Sequence, residues 1–112
     1  MTERYLDEGL LEELRGILEE EFPALVNTYI QDSAVRVQDM QSAFGRADAD
    51  ALRKATHSLK GASANLGLEH LSALCCELEA AALAGQLDGQ ASRLLQIAEE
   101  QQRAATLLRG YL

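Results

Sequence analysis

Residues that break helices or build strands are scarce in this sequence. Its 112 residues include no tryptophan, one proline, three tyrosines and two phenylalanines. Alanine, leucine, glutamate, glutamine and arginine supply much of the rest, and these residues favour helix. Stretches with strand character are nearly absent, and the length is that of one domain, spanning 1–112. The sequence therefore predicts a single all-α domain.

Long apolar runs are also missing. No stretch approaches the roughly 18 apolar residues that a membrane-spanning helix requires. The first four residues, Met1 to Arg4, lack the basic start and the apolar block of a signal peptide. We therefore expect a cytoplasmic protein.

Cysteine is limited to one adjacent pair, Cys75 and Cys76. Neighbouring helical residues cannot close an ordinary disulfide with each other, so the pair gives no sign of an oxidising compartment. A metal site built from His57, His70 and the two cysteines is an alternative. Adjacent helical side chains point about 100° apart, which suits the tight ligand spacing of structural zinc poorly. The sequence therefore predicts no bound metal.

Positive charge is in short supply as well, with ten basic and eighteen acidic residues and a formal net charge of -8. Such a balance argues against nucleic acid and anionic membrane surfaces as partners. Residues 45–61 carry four basic and two acidic side chains, whereas the segments before and after are both acidic. The only locally positive segment is therefore the one that contains His57.

Five helices are predicted from the apolar spacing and from residues typical of helix starts and ends. Their expected ranges are about 7–20, 23–44, 49–66, 69–84 and 89–109. The start signals are Asp7, Pro23 and Asp48, and the stop signals are Gly45, Gly67 and Gly85. The very short link at Gly67 forces an antiparallel hairpin. We expect an antiparallel four-helix bundle with a short extra helix at the N-terminus.

The third helix carries the least ordinary surface of the chain. Its predicted buried seam consists of Leu52, Ala55, Leu59, Ala62 and Leu66, which places His57 on the outer face. Lys60 lies one turn further along the same face. Gly61 follows, although an exposed helical position normally favours alanine or a long polar side chain. The absence of a side chain next to the imidazole indicates that another molecule approaches this surface closely.

The hairpin also predicts a partner for this histidine. His57 lies ten residues before Gly67, so its level on the returning helix falls near residues 77 to 79. Glu77 and Glu79 both lie at that level, and Glu79 lies at the edge of the seam facing the third helix. Its carboxylate could accept a hydrogen bond from the imidazole Nδ1–H, leaving Nε2 as an exposed nucleophile.

The basic residues around His57 complete a site for an anion. Lys60 would counter the negative charge of a group attached to Nε2, while Arg53 and Lys54 add attraction at longer range. Gly61 leaves room for the incoming group. Together these features describe a surface phosphohistidine site.

The motif also resembles a known family. The run His57-Ser58-Leu59-Lys60-Gly61, with Gly67 following after five residues, is similar to the signature His-x-Leu-Lys-Gly-x5-Gly of histidine phosphotransfer (HPt) domains. The run from Leu74 to Glu79 also resembles the family, which commonly has a Glu or Gln at the place of Glu79. The resemblance extends over essentially the whole chain, with a departure at Cys76, where the family more often has a basic or polar residue.

The resemblance implies a role for each matching residue. His57 is the expected phosphoryl acceptor, Lys60 a neighbour of the phosphoryl group, Gly61 the residue that gives steric clearance, and Glu79 the Nδ1 partner. The implied partners are receiver domains of hybrid sensor kinases and of response regulators, whose aspartyl phosphate and Mg²⁺ supply the chemistry. The chain would then need no cofactor of its own and, without an ATP-binding or kinase motif, would not be a kinase. It resembles stand-alone HPt proteins.

A docking surface is predicted around the same histidine. Lys60, Arg53 and Lys54 would meet the acidic pocket of the receiver. An apolar patch including Leu68 and the small residues Ala64 and Gly61 would contact its surface. No second long apolar stripe calls for a dimer, so we expect a monomer. The alternative function is a helical docking module that binds a receiver or a kinase through this face without being phosphorylated.

Overall fold

The computed structural model describes residues 6–112, which are helical apart from short turns. The helices are α1 (Glu8–Leu18), α2 (Phe22–Gly45), α3 (Ala49–Asn65), α4 (Glu69–Leu83) and α5 (Ala91–Arg109), with a 3₁₀ turn at Glu19–Glu21 between α1 and α2. The start of the chain, used above against a signal peptide, lies outside the described residues. Helices α2 to α5 form the expected antiparallel bundle, and α1 is the expected additional helix.

Two aspartates start helices as the sequence predicts. The Oδ1 atom of Asp7 accepts a hydrogen bond from the backbone N–H of Leu10 at 3.1 Å, at the start of α1. The Oδ1 atom of Asp48 accepts one from Ala51 at 3.0 Å, at the start of α3. Each side chain satisfies a backbone donor that has no partner within its own helix. Pro23 lies in the first turn of α2, where no helical N–H is lost.

Residues with a positive φ follow four of the helices, beginning with Glu19 (φ +49°) after α1. Gly67 (φ +74°) and Gly85 (φ +70°) end α3 and α4, as predicted. The range predicted for α2 is correct within one residue at each end, but the predicted stop signal is wrong, because Gly45 is still helical and the left-handed residue is Ala47, with φ +55°. The N–H of Ala47 donates to Phe44 O at 3.0 Å, and the N–H of Asp48 to Ala43 O at 2.9 Å. These are the paired bonds of a Schellman turn, whose left-handed residue lies two positions after Gly45.

The core runs along the bundle axis and is lined by aliphatic side chains. Helix α3 packs between α2 and α4, α5 packs against α2 and α4, and α1 packs on α2. Leu11 is fully buried and anchors α1 to the core. The largest other fully buried side chains are Phe22, Met40, Leu52, Leu59, Leu68, Leu71, Leu78, Ile97 and Leu108. No helix within residues 6–112 is long and apolar enough to cross a membrane.

The buried face of α3 is more polar than the predicted seam. Thr56 and Ser63 are fully buried, whereas Ala55 and Ala62 are only partly buried. The hydroxyl of Thr56 donates to the carbonyl of Leu52 at 2.7 Å, so it is satisfied within its own helix. The inward face of α3 is therefore centred on Thr56 and Ser63, one residue after the predicted Ala55 and Ala62. His57 still faces outward.

A hydrogen-bonded layer joins α2 to α3 and α5 inside the bundle. The hydroxyls of Tyr29 and Ser63 lie 2.8 Å apart, and the amide of Gln101 donates to Ser33 Oγ at 3.0 Å. Burial raises the pKa of Tyr29 to about 12, so its phenol stays protonated. Since buried polar groups are costly when unpaired, these contacts favour one alignment of the helices.

Candidate phosphotransfer site

The imidazole of His57 stands on the outer face of α3 and is held from α4. Its Nδ1 lies 2.6 Å from Oε2 of Glu79, which belongs to the neighbouring antiparallel helix. A carboxylate can only accept, so Nδ1–H is the donor and the ring adopts the Nδ1-protonated tautomer. The structure thus brings together the two residues that the hairpin count placed at one level.

The other ring nitrogen faces outward. The His57 side chain is 64% exposed, although its partner carboxylate is only 17% exposed. Within residues 6–112, the ring makes its hydrogen bond and ion pair through Nδ1, and Nε2 has no protein partner. A neutral imidazole in this tautomer carries its lone pair on Nε2, which is therefore the nucleophilic atom.

Lys60 binds the same carboxylate as His57. Its Nζ lies 2.5 Å from Oε1 of Glu79, so each carboxylate oxygen has its own partner. The Lys60 ammonium, followed by the His57 hydrogen bond, holds the pKa of Glu79 below its usual value near 4.5. The same contact raises the pKa of Lys60. Lys60 is thus already paired in this state, a contact that the sequence analysis did not predict.

Local structure accounts for the alignment of α3 with α4. The left-handed Gly67 reverses the chain within a few residues, so that Glu79 returns to the level of His57. Closer to the turn, the hydroxyl of Ser72 lies 3.4 Å from the backbone carbonyl of Lys60 and is oriented to donate to it. This contact ties α4 to the backbone of α3 beside the site.

Gly61 is not required by the packing of the chain itself. A Cβ placed on it would meet no atom within 4 Å, and its φ is an ordinary helical one. Glycine is therefore retained at a position where the fold would accept alanine and gain helix propensity. The surface at Gly61 beside the imidazole is therefore open, and its role in clearance stays a prediction.

The two basic residues predicted to attract an anion share one carboxylate. Arg53 and Lys54 both lie 3.1 Å from oxygens of Asp50. These contacts, that of Lys54 first, lower the pKa of Asp50. Their charges are therefore partly compensated, while Lys54 remains 68% exposed and able to reach a partner.

The predicted apolar patch needs a correction, because Leu68 is fully buried whereas Ala64 is exposed. The N–H of Leu68 donates to Ser63 O at 3.0 Å, and that of Gly67 to Ala64 O at 3.1 Å. In this Schellman turn, the residue after the left-handed glycine folds back against the helix that it ends. Leu68 is therefore a core residue and not part of an exposed apolar patch.

Comparison with known proteins agrees with this geometry. A model of the Hpt domain family matches residues 24–107. The chain belongs to the Hpt domain family. A comparison with curated proteins gives no match.

Solved structures of Hpt proteins superpose on the whole bundle. The histidine-containing phosphotransfer protein B (HptB) of Pseudomonas aeruginosa PAO1 is similar at 33% identity and a TM-score of 0.93, covering 98% of this chain and 96% of that chain. The HPT domain of a Shewanella sensor hybrid histidine kinase matches at 19% identity and a TM-score of 0.80, covering 96% and 93%. A putative histidine-containing phosphotransfer protein from rice matches at 17% identity and a TM-score of 0.82, covering 94% of this chain and 79% of that chain. The last two show the fold alone.

Family membership also supplies the function in outline. The chain acts in phosphotransfer within a phosphorelay, where Hpt domains interact with receiver and kinase domains. Hpt proteins are phosphocarriers rather than kinases.

The residues considered for a metal site are not assembled into one. Among residues 6–112, no three His, Cys, Asp or Glu side chains are placed to hold a metal ion. Cys75 is buried, which raises the pKa of its thiol to about 12, whereas Cys76 is exposed. Cys76 lines a surface groove of about 420 Å³ next to Lys60 and Ala64. The departure from the family pattern at Cys76 therefore lies on the face of this Hpt domain that carries the site.

Two features of the site escaped the sequence reasoning. Ser72 carries no motif signal, and its contact depends on how closely α3 and α4 approach each other. The ion pair of Lys60 with Glu79 had a signal, since Lys60 lies three residues after His57 and shares its helical face. A carboxylate that reaches one of these side chains is within reach of the other.

Proposed function

We propose that His57 is the residue that carries the phosphoryl group. The observation that carries this proposal is the hydrogen bond from its Nδ1–H to Glu79 Oε2 at 2.6 Å, on a ring that is 64% exposed. That bond directs the lone pair to Nε2 and orients the ring outward. A nucleophile on an open helix face suits a substrate held in the active site of another protein.

The proposed step is a direct transfer from an aspartyl phosphate. The Nε2 lone pair of His57 attacks phosphorus, the N–P bond forms, and the acyl P–O bond breaks with its electron pair leaving on the aspartate carboxylate. The Nδ1 proton stays on the hydrogen bond to Glu79, which stabilises the cationic ring as it forms. Transfer to a second receiver reverses these bond changes.

Gly61 and Lys60 have complementary roles in this step. The bare backbone at Gly61 leaves space for the receiver loops that carry the aspartate, since nothing lies within 4 Å of a Cβ there. Lys60, one turn from His57, lies close enough to offer its ammonium to the phosphoryl oxygens once the group is attached. Arg53, Lys54 and Ala64 are the proposed docking residues around them.

The proposed partners are receiver domains of a hybrid sensor kinase and of a response regulator. The Mg²⁺ for the reaction belongs to the receiver, and this chain uses no cofactor or ATP-dependent kinase activity of its own. The net charge of -8, with its one basic segment at residues 45–61, favours acidic protein pockets over nucleic acid or membranes. We further propose that the protein works as a cytoplasmic monomer.

The test is phosphoryl uptake from a labelled receiver domain. His57→Gln is expected to abolish labelling, because the glutamine amide offers no nucleophilic nitrogen. The matched control is His70→Gln, which removes the only other histidine and should keep wild-type labelling. Labelling of His57→Gln at the wild-type rate would overturn the assignment.

The same experiment separates phosphotransfer from the docking-module alternative. The label on the wild-type protein should be lost in acid and kept in alkali, as expected of a phosphoramidate. A pure docking module would bind the receiver in a pull-down and acquire no label.

A further inference from the structure

The carboxylate of Glu79 binds both His57 and Lys60. If the proposed function holds, this sharing affects the charge of the His57 ring. Oε2 accepts from Nδ1–H at 2.6 Å, while Oε1 binds the Lys60 ammonium at 2.5 Å. The three side chains meet where α3 and α4 pack together, with His57 exposed and Lys60 and Glu79 partly buried. The ammonium and the imidazole therefore compete for one negative charge.

A lone carboxylate beside Nδ1 would orient the ring but would also attract a second proton to it. An opposite charge within hydrogen-bond distance stabilises the protonated, cationic form of a titrating group. An imidazolium has no lone pair on Nε2 and cannot attack phosphorus. Glu79 alone would thus orient the ring but also favour the protonated form, in which Nε2 is not a nucleophile.

We propose that Lys60 acts through Glu79 as a positioning residue that keeps the imidazole of His57 neutral before phosphorylation. Its ammonium balances the charge of Glu79, so that the hydrogen bond to Nδ1 is kept while the attraction for a second proton is reduced. Lys60 has this role in the unphosphorylated protein, before it makes any contact with the phosphoryl group.

The charge state of the pair supports this reading. The pKa of Glu79 is lowered, first by Lys60, and the pKa of Lys60 is raised, first by Glu79, so both are charged at neutral pH. Lys60 is 30% exposed and Glu79 17% exposed, so water screens the contact less than in a fully exposed pair.

Other ionisable groups lie on the elements packed against α3 and α4. Near Lys60, a shared groove contains Asp7 before α1 and Glu69 and the Cys76 thiol of α4. On α5, Arg93 is paired with Glu77 at 3.2 Å. On α2, Arg36 lines a groove with Lys54 and Ser58 of α3. These groups are the same in all of the variants below. Differences between variants in the pH of ring protonation therefore arise from His57, Lys60 and Glu79.

The test follows the two ring nitrogens of His57 by ¹⁵N NMR across pH, without any receiver. Lys60→Met is expected to raise the pH at which the ring takes up its second proton by about 0.5–1 unit relative to wild type. Lys60→Arg keeps the charge and should stay within about 0.2 unit of wild type. Glu79→Gln should shift the midpoint in the opposite direction.

The double variant Lys60→Met/Glu79→Gln is the decisive control. Removing both charges should return the midpoint towards the wild-type value, although each single variant moves it away. A midpoint unchanged by Lys60→Met would overturn the inference. Lys60→Gln provides a second neutral variant if Lys60→Met does not fold.

Phosphoryl uptake supplies the functional readout. Lys60→Met should accept phosphoryl more slowly than wild type, and the deficit should be larger at pH 6.5 than at pH 8.5. The loss of the contact with the phosphoryl group acts at both pH values, whereas extra protonation of the ring slows the variant mainly at the lower pH. A loss that is equal at both pH values would assign Lys60 to the phosphoryl group alone. Failure of the proposed function would instead appear as uptake by His57→Gln, which leaves the NMR result standing.

Discussion

The backbone N–H of Asp7 donates to the carbonyl of Gly67 at 2.8 Å, which fastens the start of α1 to the turn between α3 and α4. The two residues approach so closely that a Cβ on Gly67 would lie 2.7 Å from the Cβ of Asp7. Gly67 therefore meets two requirements, a left-handed φ of +74° and the absence of a side chain. The same turn sets the level at which Glu79 meets His57.

Gly67→Ala should destabilise the protein more than Gly85→Ala. Both glycines have a left-handed φ, and alanine in that conformation costs about 1–2 kcal/mol. Only the Cβ at position 67 meets other atoms, since none lies within 4 Å at position 85. Overpacking adds about 1–3 kcal/mol at Gly67. Urea denaturation measures the difference, and equal losses would show that the contact with Asp7 relaxes without cost.

Gly61→Ala should make the fold more stable and phosphotransfer slower. Alanine in an exposed helix is favoured over glycine by about 1 kcal/mol. The added methyl meets nothing in this chain, so any loss of transfer arises from the partner. Gly45→Ala is the matched control, because it also lies in a helix with nothing within 4 Å. It should gain similar stability and transfer phosphoryl at the wild-type rate.

Ala47→Gly should stabilise the protein by about 0.5–1 kcal/mol, because it removes a left-handed alanine at the end of α2. Ala80→Gly, at an exposed position inside α4, should have the opposite effect and cost about 1 kcal/mol. Thermal unfolding measures the expected gain in stability of Ala47→Gly and the expected loss of Ala80→Gly. A lower melting temperature for Ala47→Gly would contradict the argument from backbone strain.

Leu68→Ala should cost about 2–5 kcal/mol of stability, as expected for truncation of a fully buried leucine. Ala64→Glu, at an exposed position beside the site, should leave stability nearly unchanged and weaken receiver binding through charge repulsion and bulk. Denaturation curves and binding titrations together separate the two roles. Receiver binding that is unaffected by Ala64→Glu would remove Ala64 from the interface.

Stability should fall in acid partly because of Glu79. Its pKa is lowered in the folded protein by Lys60 and His57, so its contribution is present above the unfolded value and is lost as the pH falls through the folded value. Glu79→Gln should therefore lose less stability than wild type as the pH falls below about 4.5. Glu99→Gln, at an exposed position of α5, is the control for removing one surface carboxylate. Equal declines in wild type and Glu79→Gln would contradict the pairing.

Local rules predicted most helix boundaries correctly because they depend on neighbouring residues alone. Asp7 and Asp48 cap helices, and Gly67 and Gly85 end them, as their side chains or lack of one require. The rule failed at Gly45, since the end of α2 is fixed by the bonds of Ala47 and Asp48 to the last turn. A glycine permits a helix end without enforcing one.

The sequence by itself determined the bundle, the outward position of His57 on α3 and the level of Glu79 on α4. These follow from helical periodicity and from one short hairpin, which are local properties of the chain. Only the tertiary structure decided that Lys60 shares the carboxylate of Glu79 and that Leu68 turns into the core. Both outcomes depend on distances between helices, and those distances are set by the packing of all the side chains between them.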